Sequence, residues 1–477
     1  MPTIHAHHAL TGQEFGLTEI SWIGEVVSSV QPIESHDAAA RKLVIPALAN
    51  AHDHARPLSL SSFGAAFLPL ETWLPRSMIA TPPDAYLAAL APLARAARSG
   101  CAAVMVHYTR PSGKLSPVDE AREVARAARD VGVRIALAPA LRNQNPLVYG
   151  DEHSLLDTMD PASARIIRET YCRPSPSIDA MIAMTEEIAE AIQGPMVDVQ
   201  FGPAAVQWCS HDLMVRIAER SAETGRRVHM HLLETIYQRH WADRTYPRGI
   251  VTYLKEIGLL SPRLTLAHCS HARPDELDMI AEAGATIVTN SSSNMHLRSG
   301  IGPIADARRR GCRIAIGMDG LAFDEDDDML RETRLANALH GGLGFDASWT
   351  RSDFLQESIA NGRRAAGMPG AGRIAAGEPA DLVVIDFEAL DRDRIADVDP
   401  IDLLFARGTT CHVEEVIVAG RSIVKGGRVL GVDLPAAEEE LRALYRRQKD
   451  RFAELESAWP QFAPAIEGWF RDRAGCC

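Results

Sequence analysis

From Leu43 onward, short runs of apolar residues alternate with longer stretches in which apolar positions recur every three or four residues. The runs begin at Leu43 (LVIPALAN), Cys101 (CAAVMVH), Arg134 (RIALAPAL) and Met196 (MVDVQFGP). They continue at Arg227 (RVHMHLL), Arg263 (RLTLAH), Ala285 (ATIVTN) and Arg313 (RIAIGMD). Between them lie helical patterns such as AREVARAARDVG after Glu120 and DELDMIAEAG after Pro274. Strands that are apolar throughout, separated by helices, predict a parallel sheet covered on its outer face. Eight such units over roughly 300 residues predict a closed (β/α)8 barrel rather than an open sheet.

Outside these units the texture changes. The stretch up to Lys42 and the segment from Gly377 to Val432 read as short strands punctuated by Gly and Asp, as in ADLVVIDFEAL and EEVIVAGRSIVKGGRVLG. The two ends are expected to pair beside the barrel. Beyond Leu434 the pattern turns helical (AEEELRALYRRQKDRFAELESAW). The expected division is a small β domain from 1–44 and 371–433, a barrel from 45–370 and a helical tail from 434–477.

Composition narrows the class. Hydrophobic residues at 46% and charged residues at 24% are those of a soluble globular chain. A formal charge of −13 argues against a nucleic-acid partner, because phosphate contacts need clustered Lys and Arg. No apolar run is long enough to span a bilayer, and the N-terminus lacks the basic-then-apolar pattern of a secretory signal. The eight cysteines show no zinc-knuckle spacing and read as reduced thiols of a cytoplasmic protein. Cys476 and Cys477 end the chain and carry no expected role.

The chemistry concentrates at the C-terminal ends of the strands, where barrel proteins place reacting groups. Strand one ends in His52-Asp53-His54; alternation along a strand puts both histidines on one side, able to clasp one ion, and turns Asp53 away. Strand five ends in His229-Met230-His231, with Glu234 in the loop beyond. Strand six ends in His268-Cys269-Ser270-His271, and strand eight in Met318-Asp319-Gly320.

With these stretches the chain resembles the amidohydrolase superfamily, in the branch of cytosine and guanine deaminases and triazine hydrolases. PALANAHDH from Pro46, VHMHLLE from Val228, LAHCSH from Leu266, TNSSSNMHLRSGIGPI from Thr289 and IGMDG from Ile316 carry the likeness. ANGRRAAG from Ala360 and AAGEPADLVVID from Ala375 extend it. The chain departs from the family at Ala47, where Gly is usual, and at Ser291 or Ser292, where Pro is usual.

The resemblance implies that His52, His54, His231 and Asp319 hold a divalent metal, zinc before iron or manganese, with Glu234 and His268 catalytic and Asp319 serving both purposes. It also implies that the end segments form a small β-sandwich, and that the protein is a homo-oligomer acting on a small molecule. Members with two metals bridge them by a carbamylated lysine at strand four. None of the five lysines here falls in that region, which reads QFGPAAVQWCS from Gln200, so one metal is expected.

Three imidazoles and a carboxylate leave a position open for water, as a catalytic zinc site requires. Asp319 is expected to take the water proton, Glu234 to protonate the leaving nitrogen, and His268 to polarise the substrate. The reaction expected first is deamination of a heterocycle or amidine. Amide, urea, carbamate or carbon–halogen hydrolysis at the same site is the alternative, and a non-enzymatic scaffold a distant third.

Substrate contacts are expected from His107 and Arg110 after strand two, Asn143 after strand three, Gln207 and Trp208 after strand four, and His271. Each also has an ordinary structural reading. The cluster His5, His7, His8 and the acidic run Asp324 to Asp328 are expected to be incidental, the latter favouring a helix N-terminus.

Overall fold

A computed structural model describes residues 1–11, 16–34, 41–320 and 324–474, so Cys476 and Cys477 lie outside the described residues. Eight strands follow one another around a barrel, all parallel. They are Leu48–Asp53, Cys101–Tyr108, Arg134–Leu141 and the interrupted pair Val197–Val199 and Gly202–Pro203. Val228–Leu232, Leu264–His268, Thr286–Thr289 and Arg313–Ile316 complete the set. Registers join strands one to four and five to eight. Parallel bridges Phe201 to Val228 and Ala205 to His231 link four to five. Between eight and one, the Asp319 amide donates to the His52 carbonyl at 2.9 Å.

The connecting helices cover the outside, which is why the strands are apolar on both faces. Their starts are set locally. Asp84, Ser116, Ser177 and Ser210 each accept from the backbone N–H three residues on, filling a donor the helix leaves unpaired. Inside the barrel the side chains are small: Ala49, Ala103, Ala136 and Ala138 pack with Ala366 and Met368. The helix Arg351–Ala365 plugs the end away from the histidines.

The first apolar run holds two strands rather than one. Lys42–Pro46 pairs antiparallel with Leu382–Asp386, away from the barrel. Ala47 still donates to the Asp381 carbonyl at 3.0 Å, and from Leu48, whose amide reaches the Gly100 carbonyl at 2.9 Å, the chain is in the barrel. Proline has no donor for a ladder, and Pro46 stands where one pairing gives way to the other. The six-stranded sheet containing Lys42–Pro46 draws on both chain ends. A three-stranded sheet, Thr3–Ala6, Thr18–Ile23 and Val26–Pro32, shares its core through Ile20, Trp22, Val44 and Leu382. Asp381 clamps this region to the barrel by buried pairs with Arg134 (2.6 Å) and Arg363 (2.8 Å).

The terminal helices Leu434–Arg447 and Ala453–Ala474 return across the barrel's mouth. Phe462 stacks on Tyr171 at 5.9 Å and Phe470 meets Tyr149 edge-on at 5.0 Å. Cys101, Cys209, Cys269 and Cys312 are buried free thiols, Cys172 is partly buried and Cys411 is exposed.

Candidate metal centre

At the mouth, the strand ends bring imidazoles and one carboxylate to a point. His54 Nε2 lies 3.0 Å from Asp319 Oδ1, His52 Nε2 3.4 Å from the same oxygen, and His231 Nε2 3.3 Å from His54 Nε2. Zinc bonds of about 2.0–2.1 Å put tetrahedral ligand atoms about 3.3–3.4 Å apart, so these separations suit one ion.

Hydrogen bonding on the far side of each ring agrees. His54 Nδ1 donates to the His107 carbonyl and His231 Nδ1 to the Ala204 carbonyl, both at 2.7 Å. With the proton fixed at Nδ1, each ring turns an Nε2 lone pair inward. His52 Nδ1 meets His229 Nε2 at 2.7 Å, so the deeper histidine of strand five orients a ligand. His52 Nε2 and Asp319 Oδ1 are buried without a hydrogen-bond partner, which is costly unless a cation satisfies them. The donor set thus fits a divalent metal.

Electrostatics set the protonation states. Burial pushes His52 down to about 3 and His231 well below its ordinary value, leaving neutral ligands. Burial alone would raise Asp319, but the Arg56 charge and the neighbouring His52 and His54 hold its carboxyl well below the usual range. Glu234 goes the other way: burial first, then the charges of Asp319 and Glu71, push it well above the carboxylate range. The two carboxyls of the cavity wall are thus pushed in opposite directions, the pattern of an acid and a base.

His268 is buried, with Nε2 at 3.7 Å from Glu234 Oε2. Its Nδ1 lies 2.8 Å from Asn294 Oδ1 and 3.4 Å from Asn290 Nδ2. The shorter contact places the proton on Nδ1 and turns a lone pair toward Glu234. Asn294 belongs to the stretch after strand seven, where Ser293 Oγ also donates to Asp319 Oδ2 and Ser292 Oγ to Glu332. Burial raises Glu332 to about 7. Asp53 accepts from the Ala55 amide at 2.7 Å and the Gly320 amide at 3.2 Å, tying strand one to the loop of strand eight.

Backbone strain gathers here as well. Ala55, Leu233, His268, Cys269 and Asp319 all have positive φ, from 49° to 74°. Each such residue costs about 1–3 kcal/mol, which the surrounding structure must hold in place. Gly317 is required for space: a Cβ there would lie 2.8 Å from the His52 backbone nitrogen and 2.4 Å from Asn290 Oδ1. Gly317→Ala is therefore expected to cost about 1–3 kcal/mol by overpacking. It should also displace His52, so the check is a thermal melt together with metal retained after dialysis. A variant that keeps both at wild-type values would contradict the packing argument.

Above the centre opens a cavity of about 1330 Å³ whose wall includes His54, His231, Glu234 and Asp319. Of the expected substrate contacts, Arg110, Asn143 and Trp208 are in that wall. Asn143 is engaged, however, with its amide donating to Ser210 Oγ at 2.9 Å and its carbonyl accepting from the Ser210 amide at 2.7 Å. His107 is buried beneath the ligands, 5.7 Å ring to ring from His54, and Gln207 is buried outside the wall. His271 Nε2 donates to the Ser299 carbonyl at 2.7 Å, joining the segment after strand six to the one after strand seven.

His5 meets Glu19 at 2.9 Å on the small sheet, an acidic partner that only folding supplies. The acidic run is absorbed structurally: Asp328 caps a helix and Asp327 pairs with Arg95 at 2.7 Å.

Glu71, a buried carboxyl in the cavity wall, carried no mark in the sequence. Tyr149 Oη donates to its Oε1 at 3.1 Å, as does Thr235 Oγ1, while Oε2 has no partner. Arg56, which pairs with Asp319 Oδ1 at 3.5 Å and lies over the Trp73 ring at 4.7 Å, was also unmarked.

Comparison with known proteins agrees with this geometry. A model of the amidohydrolase family matches residues 43–442. The chain is 28% identical over 410 residues to a 5-methylthioadenosine/S-adenosylhomocysteine deaminase of Nitratidesulfovibrio vulgaris, covering 86% of each chain. It is 28% identical over 380 residues to a 5'-deoxyadenosine deaminase of Methanothermobacter thermautotrophicus, covering 78% of this chain and 80% of that one. Among solved structures, an adenosine deaminase from Xanthomonas campestris with bound zinc superposes with a TM-score of 0.78 at 22% identity, covering 94% and 98% of the two chains. An atrazine chlorohydrolase from Arthrobacter aurescens complexed with zinc gives 0.77 at 20%, covering 93% and 100%. At these identities the structural likeness establishes the fold.

Proposed function

We propose that this chain, which belongs to the amidohydrolase family, removes an amino group from a small heterocyclic or amidine-like molecule. The observation that carries the reading is the pairing of carboxyls at the cavity floor, Glu234 raised and Asp319 depressed, around ligands suited to one metal. Zinc at His52, His54, His231 and Asp319 supplies, when bound, a Lewis acid that lowers the pKa of water to about 7.

The chain's residues divide the remaining work. Ionised Asp319 takes a proton from the attacking water. Protonated Glu234 gives one to the substrate nitrogen, so that the amino group leaves as ammonia and a carbonyl remains. The proton held by Asp319 passes to the departing amino group, and the hydroxyl proton lost as the carbonyl forms restores Glu234, whose carboxyl faces the His268 lone pair at 3.7 Å. A single metal is supported at strand four, where Gln200 Nε2 is spent on Asp198 Oδ2 at 3.0 Å and the Ala365 carbonyl at 2.9 Å.

The meeting of the chain ends in adjoining sheets supports reading 1–44 with 371–433 as a small β-sandwich domain, 45–370 as the barrel and 434–477 as a helical tail. The free cysteines support a cytoplasmic location.

The test is a panel of aminated heterocycles, including 5-methylthioadenosine, 5'-deoxyadenosine and adenosine, read by ammonia release, with atrazine as a chloride donor. Ammonia from at least one nitrogen substrate is expected. Chloride release with no ammonia from any nitrogen substrate would overturn the reading.

A further inference from the structure

The family match ends at residue 442, but the wall of the cavity draws on residues beyond it. The helix Ala453–Ala474 puts Leu455 and Phe470 into the same wall as His54, His231, Glu234 and Asp319. Both side chains are buried. Arg451 and Glu454, the charged residues that this end of the chain adds to the wall, are exposed and stand at its rim. The terminal segment therefore lines the cavity with apolar groups inside and charged ones at the edge.

The helix is held there by its own pattern. Leu455, Ala458, Phe462, Ile466 and the pair Trp469-Phe470 recur every three or four residues, and all are buried. Pro460 and Pro464 supply no backbone donor, so the helix lacks two of its hydrogen bonds and depends on that packed face. Its anchors lie on the segments after strands one and three: Glu456 meets Arg76 at 2.8 Å, and Trp469 Nε1 donates to Ser154 Oγ at 2.9 Å. Phe470 also continues an aromatic row in the cavity wall, with Trp208 6.0 Å from Tyr149 and Tyr149 5.0 Å from Phe470, ring centre to ring centre. Tyr149 spends its hydroxyl on Glu71 and Phe470 has none, so these two offer a ligand ring surface rather than hydrogen bonds. The cavity's 1330 Å³ exceeds the usual span of about 300–1,000 Å³ for a small-molecule site, so a bare heterocycle at the metal leaves room beyond it.

We propose that the terminal helix is part of the substrate site, with Leu455 and Phe470 forming an apolar subsite, so that the substrate carries an uncharged apolar group at the end away from the bond that is cleaved. This rests on the deaminase reading for its reaction, although the subsite itself can be measured without turnover.

Binding comes first. Indole, a flat apolar probe, is titrated calorimetrically into zinc-loaded wild type, Phe470→Ala, Phe470→Leu and Leu455→Ala, with thermal melts as folding controls. The expected result is that indole binds wild type about tenfold more tightly than Phe470→Ala, with Phe470→Leu and Leu455→Ala in between. Phe470→Leu keeps the helix face filled, so it carries the test if the alanine variant fails to fold. Indole binding that is equal in wild type and all folded variants overturns the subsite, as does no binding at all.

Turnover supplies the second arm. 5-Methylthioadenosine and 5'-deoxyadenosine differ only by a methylthio group in place of hydrogen. The ratio of kcat/KM for the first to that for the second should fall about three- to tenfold in Phe470→Ala. A helix that only braces the fold would lower both values together, so ammonia release with an unchanged ratio overturns the subsite alone. No ammonia from any substrate of the panel, with Phe470-dependent indole binding intact, overturns the deaminase reading and leaves the subsite standing.

Discussion

Glu234→Gln is expected to keep its metal and its melting temperature while turnover falls by about 10²–10⁴-fold. The substitution is nearly isosteric, and the Glu234 amide still donates to Gln238 Oε1 at 2.8 Å, so the loop after strand five has no reason to move. What disappears is an exchangeable proton on a carboxyl that burial pushes toward its protonated form in the cavity wall. An amino group leaves poorly as an anion, whereas chloride needs no proton. A nitrogen substrate should therefore lose far more rate than a halide one. Elemental analysis and single-turnover kinetics on the variant check this. Loss of the metal with Glu234→Gln would make Glu234 a ligand and contradict the division of roles.

His231→Ala is expected to have the larger effect, removing the metal and activity together. Its Nε2 is one of the inward-facing nitrogens, and its Nδ1 is already committed to the Ala204 carbonyl. Losing a supporting partner of a ligand costs about 10- to 100-fold in metal affinity, and losing the ligand itself should exceed that. Dialysis against a weak chelator should strip this variant while wild type and Glu234→Gln remain loaded. Equal retention by all three would remove His231 from the ligand set and leave His52, His54 and Asp319 as the group that holds the ion.

The strand ends were legible in the sequence because period-two alternation fixes which residues share a face. His52 and His54 meet Asp319, and His231 meets His54, as expected of one ion's ligands. The eight strands were legible for a similar reason, since continuous apolar runs between helices leave few arrangements. The seam inside LVIPALAN was not, because nothing in an apolar run says which sheet each half joins; Pro46 was the available mark. Glu71 lay hidden in the short helix Leu70–Arg76 after strand one, and only folding brings it to Tyr149 and Thr235. Asn143, Gln207 and His271 show the converse limit. Asn143 is taken up by Ser210 beyond strand four and His271 by Ser299 beyond strand seven, partners in other loops that sequence does not reveal, while Gln207 is buried away from the cavity.

The central claim, one divalent metal driving carbon–nitrogen hydrolysis, is tested most directly by titrating metal-free protein with zinc while ammonia release is followed on an active substrate from the panel. Activity should be absent at the start, rise linearly and stop at one equivalent per chain. Activity without metal, or a rise that continues to two equivalents, would contradict it.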